Sequence, residues 1–390
     1  MTVVPAERIQ ALPPYLFVAI DRKKRAARAA GRDIIDFGIG DPDQPTHEYI
    51  IDRLRHAAAI PANHRYPHDQ GSPAFRQAAA AFLDRRYGVS VNPEGEVLAL
   101  IGTKEGLGHL ALALVNPGET VLVPEPGYPV YRSGTIFAGG RPWTMRLDPR
   151  RDWQPDFDSI PADVARGARL MYLNYPNNPT GAVASRALLE RAVEFAHRHE
   201  IVLAYDAAYN EMCFDAADAA PSILEIPGAK DVAIELHSLS KTFNMTGWRM
   251  GFAAGNADVL ACLSRIKSNL DSGQFTAIQE AGIAALEGYA RPEVAEARAR
   301  YGMRARLLAA GLRELGFETP EPLATFYVWA RVPAGYDSLS VVNKLLDEAD
   351  VVCVPGTGFG AAGEGYVRFA VTVSIERTQA ALARMRNLKW

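Results

Sequence analysis

Apolar positions along this chain follow two alternating rhythms. Short apolar runs that stop at a glycine, proline or polar residue are followed by longer stretches in which apolar positions return every three or four residues. The first rhythm predicts buried strands and the second predicts amphipathic helices. Strands are expected at 97–101, 121–124, 170–173, 201–205 and 232–236. Helices are expected at 104–115 and along the run that puts Leu188, Leu189, Ala192, Val193 and Ala196 on one side. Upstream, an Ala/Arg/Lys-rich helix reaches about Arg32, a short strand covers 34–39, and a helix covers 73–86 with Phe75, Ala79 and Phe82 on one face. After about Glu287 the rhythm changes to a long charged helix at 292–315, an apolar run at 326–330, a helix at 338–349 and a strand at 366–373.

Strand-then-helix alternation argues for a mainly parallel sheet covered on both faces, and the last hundred or so residues read as a smaller α+β unit. The strand at 34–39 finds no place in the central sheet and is assigned to the smaller unit. The expected division is 1–45 as an N-terminal arm and part of the small domain, 46–287 as the large domain, and 288–390 as the small C-terminal domain. With 390 residues and 48% apolar content, two unequal domains are the better expectation.

Composition narrows the function by exclusion. A formal charge of −3, with Arg and Lys scattered except at Arg22 to Arg25, offers no footprint for nucleic acid. No segment has the length of a membrane span, and residues 1–10 lack the apolar core of a signal peptide, so a cytoplasmic place and no membrane partner are expected. Cys213, Cys262 and Cys353 are far apart and odd in number, which suggests neither a disulfide framework nor a thiolate metal site. His197 and His199 point to different faces of a helix, and Pro67 separates His64 from His68, so no metal site is expected.

Candidate chemistry gathers where strands end. Beyond the strand at 232–236 comes Ser238-Leu-Ser240-Lys241-Thr-Phe-Asn-Met-Thr-Gly-Trp-Arg249-Met-Gly251. The carboxyl ends of strands are where open α/β sheets bind ligands. Lys241 supplies an amine able to form a Schiff base, Arg249 a planar cation suited to phosphate, and Ser238 and Ser240 two hydroxyl donors. Such a set fits pyridoxal phosphate. Gly102-Thr103-Lys104 opens a helix whose free N–H groups could hold the cofactor phosphate, although Thr is also a routine N-cap. Asp206 ends an apolar strand without a nearby cation in sequence; a carboxylate there could keep a pyridine nitrogen protonated, or simply cap a helix. Tyr209 and the Asn178 amide could reach a ring hydroxyl, and Tyr128 could stack on the ring; each could equally be a turn or core residue.

In order, these motifs resemble those of the fold-type I aminotransferases of class I and II, over about residues 15–373. The resemblance implies an aspartate-aminotransferase-like α/β fold: a large domain with a mainly parallel seven-stranded sheet, and a smaller α+β domain. It implies pyridoxal 5′-phosphate as cofactor and Lys241, Asp206 and Tyr209 as catalytic residues. Tyr66, Gly102, Thr103, Lys104, Tyr128, Asn178, Ser238, Ser240 and Arg249 would complete the cofactor site. Gly40, Asn178 and Arg368 would face the substrate, with Arg368 gripping its α-carboxylate. In related enzymes the residue at Tyr66 reaches the neighbouring subunit's cofactor, which implies a homodimer with shared active sites.

Within the family the likeness is to the LL-diaminopimelate aminotransferases. It is carried by Leu12 to Phe17, Gly38 to Asp43, Gly102 to Gly106, Asn116 to Glu119, Tyr172 to Gly181 and His237 to Thr242. It implies transfer of an amino group to 2-oxoglutarate in lysine biosynthesis, with Asp69 accepting from the distal ammonium and Tyr15, Lys104 and Asn269 as partners for the distal carboxylate. Asp69 departs from the glutamate of the plant-type enzymes, being one methylene shorter, and Thr103 replaces the usual serine or alanine. Aminotransferases for alanine, aspartate or aromatic acids, and a pyridoxal-phosphate C–S lyase, share the cofactor set and remain alternatives.

Overall fold

A computed structural model describes residues 2–12 and 16–390. Its strands are β1 (Ile35–Asp36), β2 (Val97–Leu100), β3 (Thr120–Glu125), β4 (Arg141–Asp148), β5 (Gln154–Pro155), β6 (Ala168–Asn174) and β7 (Val202–Asp206). Then follow β8 (Ala233–Ser238), β9 (Gly251–Gly255), β10 (Tyr327–Arg331), β11 (Val351–Val352), β12 (Val354–Pro355) and β13 (Tyr366–Ala370).

The main sheet has the order β2-β9-β8-β7-β6-β3-β4-β5. β3, β4, β6, β7 and β8 pair parallel to their neighbours, whereas β9 runs against both β2 and β8. The expected mainly parallel seven strands are present, extended at one edge by the two-residue β5, which pairs antiparallel with β4. β4 and β9 were not legible as strands: β4 is the half-exposed member near the edge and carries Pro142, and β9 is a glycine- and alanine-rich run with little periodicity.

Both faces of the sheet are buried, and its side chains alternate between two cores as strand geometry requires. Along β6, Met171 and Leu173 join the core beneath helices Pro73–Tyr87, Arg186–His199 and Thr276–Glu287. Leu170 and Tyr172 point the other way, into the core under Thr103–Leu114, Val130–Phe137 and Ala257–Leu270. Polar residues start several of these helices. Ser72 accepts from Phe75 N–H ahead of Pro73, Ser185 from Leu188 N–H and Asn256 from Val259 N–H. Val232, expected in a strand, ends the short helix Ala229–Val232 instead.

A third core joins Ile35 and Phe37 to β10 and β13 and to helices Pro292–Glu314, Ser338–Ala349 and Ile375–Arg386. β1 pairs parallel with β11, while β10, β13 and β12 form an antiparallel sheet. The apolar stretch at 34–39 is therefore strand only over Ile35–Asp36, and its continuation leaves to line the site, where Gly38 and Gly40 lie close to β13 and β10. Among the described residues no helix is long and apolar enough to cross a membrane.

Candidate active site

β2, β3, β6, β7 and β8 all point the same way, so the motifs that end them come to one edge of the sheet. Register fixes the spacing, with Asn174 opposite Asp206 and Asp206 opposite Leu236. Asp206 is 4% exposed. Its carboxylate accepts from Tyr131 O–H at 2.7 Å and from Ala208 N–H at 3.2 Å. Burial pushes its pKa up to about 6, opposed by these two donors and by the charge of His237. It caps no helix, since the following 3₁₀ turn begins at Asn210 with Tyr209 as its N-cap.

Lys241 sits in a single helical turn, Leu239–Thr242, which Ser238 opens by accepting from Ser240 N–H. Its Nζ donates to Gly40 O at 3.2 Å and lies 5.5 Å from the centre of the Phe326 ring. The side chain keeps some accessible surface, yet enough protein surrounds the ammonium that desolvation draws its pKa down to about 8. The positive charges of Arg249 and Arg368 act in the same direction and Asp41 opposes them. Lysine is thereby tuned toward its neutral, nucleophilic form.

Thr103 is the first residue of its helix and does not cap it. The N-cap is Gly102, at φ +80, and no side chain caps the turn. The guanidinium of Arg249 packs against Gly102, where an added Cβ would lie 2.5 Å from Nη2. Arg249 donates to Thr246 O at 2.8 Å and Ile101 O at 3.4 Å, so a cation stands beside uncapped N–H groups. Lys104 projects from the same turn and is exposed.

Arg368 is 5% exposed, from β13. Its Nη1 donates to Asn178 Oδ1 at 2.9 Å and its Nη2 to Gly38 O at 3.1 Å. The rings of Tyr327 and Phe359 lie 4.1 and 4.7 Å from the guanidinium carbon, and Nε is buried with no hydrogen-bond partner among the described residues. Tyr327 also holds the Tyr209 hydroxyl at 3.0 Å and crowds Gly40, where a Cβ would meet its Oη at 2.2 Å. Asn174 accepts from Asn178 N–H and donates to Asp206 O, joining the arginine end to the acid. Tyr128 is partly buried and meets the Tyr131 ring edge-on at 5.9 Å.

The remaining expected residues are exposed or lie outside the described residues. Tyr66 is 92% exposed and Asp69 is exposed. Asn269 is exposed and spends its amide on Arg265 O, one turn back in its own helix. Tyr15 lies outside the described residues. Tyr131, Tyr327, Phe359 and Asn174 escaped the sequence reading. Tyr131 could have been suspected, because it follows Tyr128 by one helical turn; the other three signal nothing until the sheets are assembled.

The sequence profile described as aminotransferase class I and II matches residues 32–385, and the chain belongs to that family of pyridoxal-phosphate enzymes that move amino groups. Among curated relatives, the LL-diaminopimelate aminotransferase of Syntrophobacter fumaroxidans is 51% identical, with 100% of both chains covered. Among solved structures, substrate-bound BacF from Bacillus subtilis is 40% identical at TM-score 0.93, covering 99% of this chain and 98% of its own. Thermus thermophilus aspartate aminotransferase with maleate is 31% identical at TM-score 0.91, over 99% and 100% of the two chains.

Proposed function

We propose that this enzyme is a cytoplasmic, homodimeric LL-diaminopimelate aminotransferase with 2-oxoglutarate as amino acceptor and pyridoxal 5′-phosphate carried on Lys241. The observation that carries the cofactor reading is Asp206, a buried carboxyl whose hydrogen-bond donors are a neutral phenol and a backbone N–H, with no ion pair among the described residues. A positively charged ring nitrogen would supply the missing partner. The rest of the set fits the same molecule: Arg249 and the N–H groups after Gly102 suit the phosphate, and Tyr209 and Asn178 suit a ring hydroxyl. Tyr128 would face the ring, and Ser238 and Ser240 would support the phosphate side.

When bound, pyridoxal phosphate supplies an electron-withdrawing ring that makes the substrate α-proton acidic. Lys241 would take that proton at Nζ and return it, for which its lowered pKa suits it. Arg368 fixes the α-carboxylate by its fork, with Tyr327 and Phe359 restricting the plane of the guanidinium. Gly40 leaves room beside it. Domain limits of 1–45, 46–287 and 288–390 would set the site between a large and a small unit. Tyr66 is nearly fully exposed in a single chain, as suits a residue that reaches a second subunit's cofactor.

The substrate reading is supported by relatives carrying that name at about half identity over the whole chain. Asp69 would accept from the distal ammonium, with Tyr15, Lys104 and Asn269 at the distal carboxylate. A panel of amino donors with 2-oxoglutarate, including LL- and meso-diaminopimelate, aspartate, alanine and aromatic acids, tests it; no turnover of LL-diaminopimelate sinks the substrate and leaves the class standing. The aspartate reading is kept because of the Thermus structure, and the same panel decides it. Pyruvate and ammonia formed without an acceptor would favour the lyase. Asp69→Ala should lower efficiency toward diaminopimelate far more than toward glutamate, and an unchanged ratio would remove Asp69 from the site.

A further inference from the structure

At the start of the Thr103–Leu114 helix lies a group of four ionisable side chains that the roles above leave unused. Glu105, in the first turn, accepts from Ile101 N–H at 3.0 Å and so ties down the bend between β2 and the helix. Its other oxygen lies 2.8 Å from His109 Nδ1 and 3.0 Å from Lys267 Nζ. Asp271 closes the set, 3.4 Å from both of those nitrogens. Glu105, His109 and Asp271 have the donor types of a metal site, but the ammonium of Lys267, 2% exposed, already supplies the cation.

An acidic group in a helix's first turn satisfies the dipole, and in a poorly solvated place its field on the neighbouring N–H groups is screened less than in water. Left alone, Glu105 would oppose any anion at the helix start. Two cations stand between it and Asp271 instead, one on its own helix and one on Ala257–Leu270, so two acids and two cations balance. Contact with Glu105 raises the pKa of His109, which favours the charged imidazole.

We propose that Lys267 and His109 are positioning residues for the cofactor phosphate: by neutralising Glu105 they let its carboxylate hold Ile101 N–H without setting the helix start against an anion. This rests on the reading that the phosphate sits at that helix start. The test titrates full-length, cofactor-free enzyme with pyridoxal 5′-phosphate and with pyridoxal, which lacks the phosphate, and takes the ratio of dissociation constants. Lys267→Met should reduce the preference for the phosphorylated form about tenfold, with pyridoxal bound as before. Adding Glu105→Gln should recover most of the loss, because the amide oxygen still accepts from Ile101 and carries no charge. His109→Gln should shift the ratio the same way by a smaller factor, and Glu105→Gln/His109→Gln should recover it; this second pair decides the matter if Lys267→Met does not fold. An unchanged ratio in the single variants, or a loss that Glu105→Gln does not recover, overturns the inference. Wild-type enzyme without any preference for the phosphorylated form would instead overturn the phosphate reading itself.

Discussion

Asp206→Asn should stabilise the cofactor-free protein above neutral pH and remove most of the activity of the cofactor-loaded enzyme. The folded-state pKa of Asp206, about 6, stands above the ordinary value of 3.8 because burial penalises the carboxylate. For an acid raised in this way, the folded form is favoured fully below the unfolded pKa, and that contribution is lost as pH rises through the folded pKa. At about 1.4 kcal/mol per unit, the loss at pH 8 is about 3 kcal/mol. Roughly half is already lost at pH 5, leaving about 1.5 kcal/mol to develop between pH 5 and pH 8. Asparagine carries no such dependence, but its single oxygen cannot serve both Tyr131 and Ala208 as well as two oxygens do, a deficit of about 1 kcal/mol at every pH. Urea unfolding of both cofactor-free proteins at the two pH values gives the double difference, in which other titrating groups cancel. The mutant should gain on the wild type by about 1.5 kcal/mol from pH 5 to pH 8. A difference that stays flat, or that moves against the mutant, refutes the account of Asp206 as a carboxyl held at a cost until a cation joins it. With cofactor supplied, the neutral amide cannot hold the ring's positive charge, and kcat should fall by about a hundredfold or more.

Lys241→Ala should abolish steady-state turnover, since it removes both the attachment point and the proton carrier; borohydride reduction and peptide mapping of wild-type enzyme should place the cofactor on Lys241, and another lysine would end the assignment. Arg368→Lys should cut kcat/KM for α-amino acids by about one to two orders of magnitude, because a point charge replaces neither the fork nor its stacking between Tyr327 and Phe359; unchanged efficiency would move the carboxylate site. Tyr131→Phe removes a donor that lowers the pKa of Asp206, so in the cofactor-free protein the carboxyl should titrate at higher pH by carbon NMR, and a titration that stays in place would show the phenol to be packing alone.

Sequence by itself picked out the candidate groups Lys241, Asp206 and Arg368 and most of the elements that present them. Helices Pro73–Tyr87 and Ser338–Ala349 were legible because their rhythm and their caps, Ser72 ahead of Pro73 and the Asp337–Ser340 capping box, depend on neighbours a few residues away. The strand-end motifs holding Lys241 and Asp206 were legible for the same reason: a buried run that stops at a polar residue is a local pattern. What only the tertiary structure decided is which distant residues meet. Arg368 binds Asn178 across 190 positions and Tyr131 binds Asp206 across 75, and neither contact has a local signature. Tyr327 reads as an ordinary core tyrosine until β10 carries it against Gly40, Tyr209 and Arg368. The displaced pKa values of Asp206 and Lys241 belong to the same category. Desolvation leads the causes of both, and it exists only once the sheet, its helices and the smaller antiparallel sheet have closed around them.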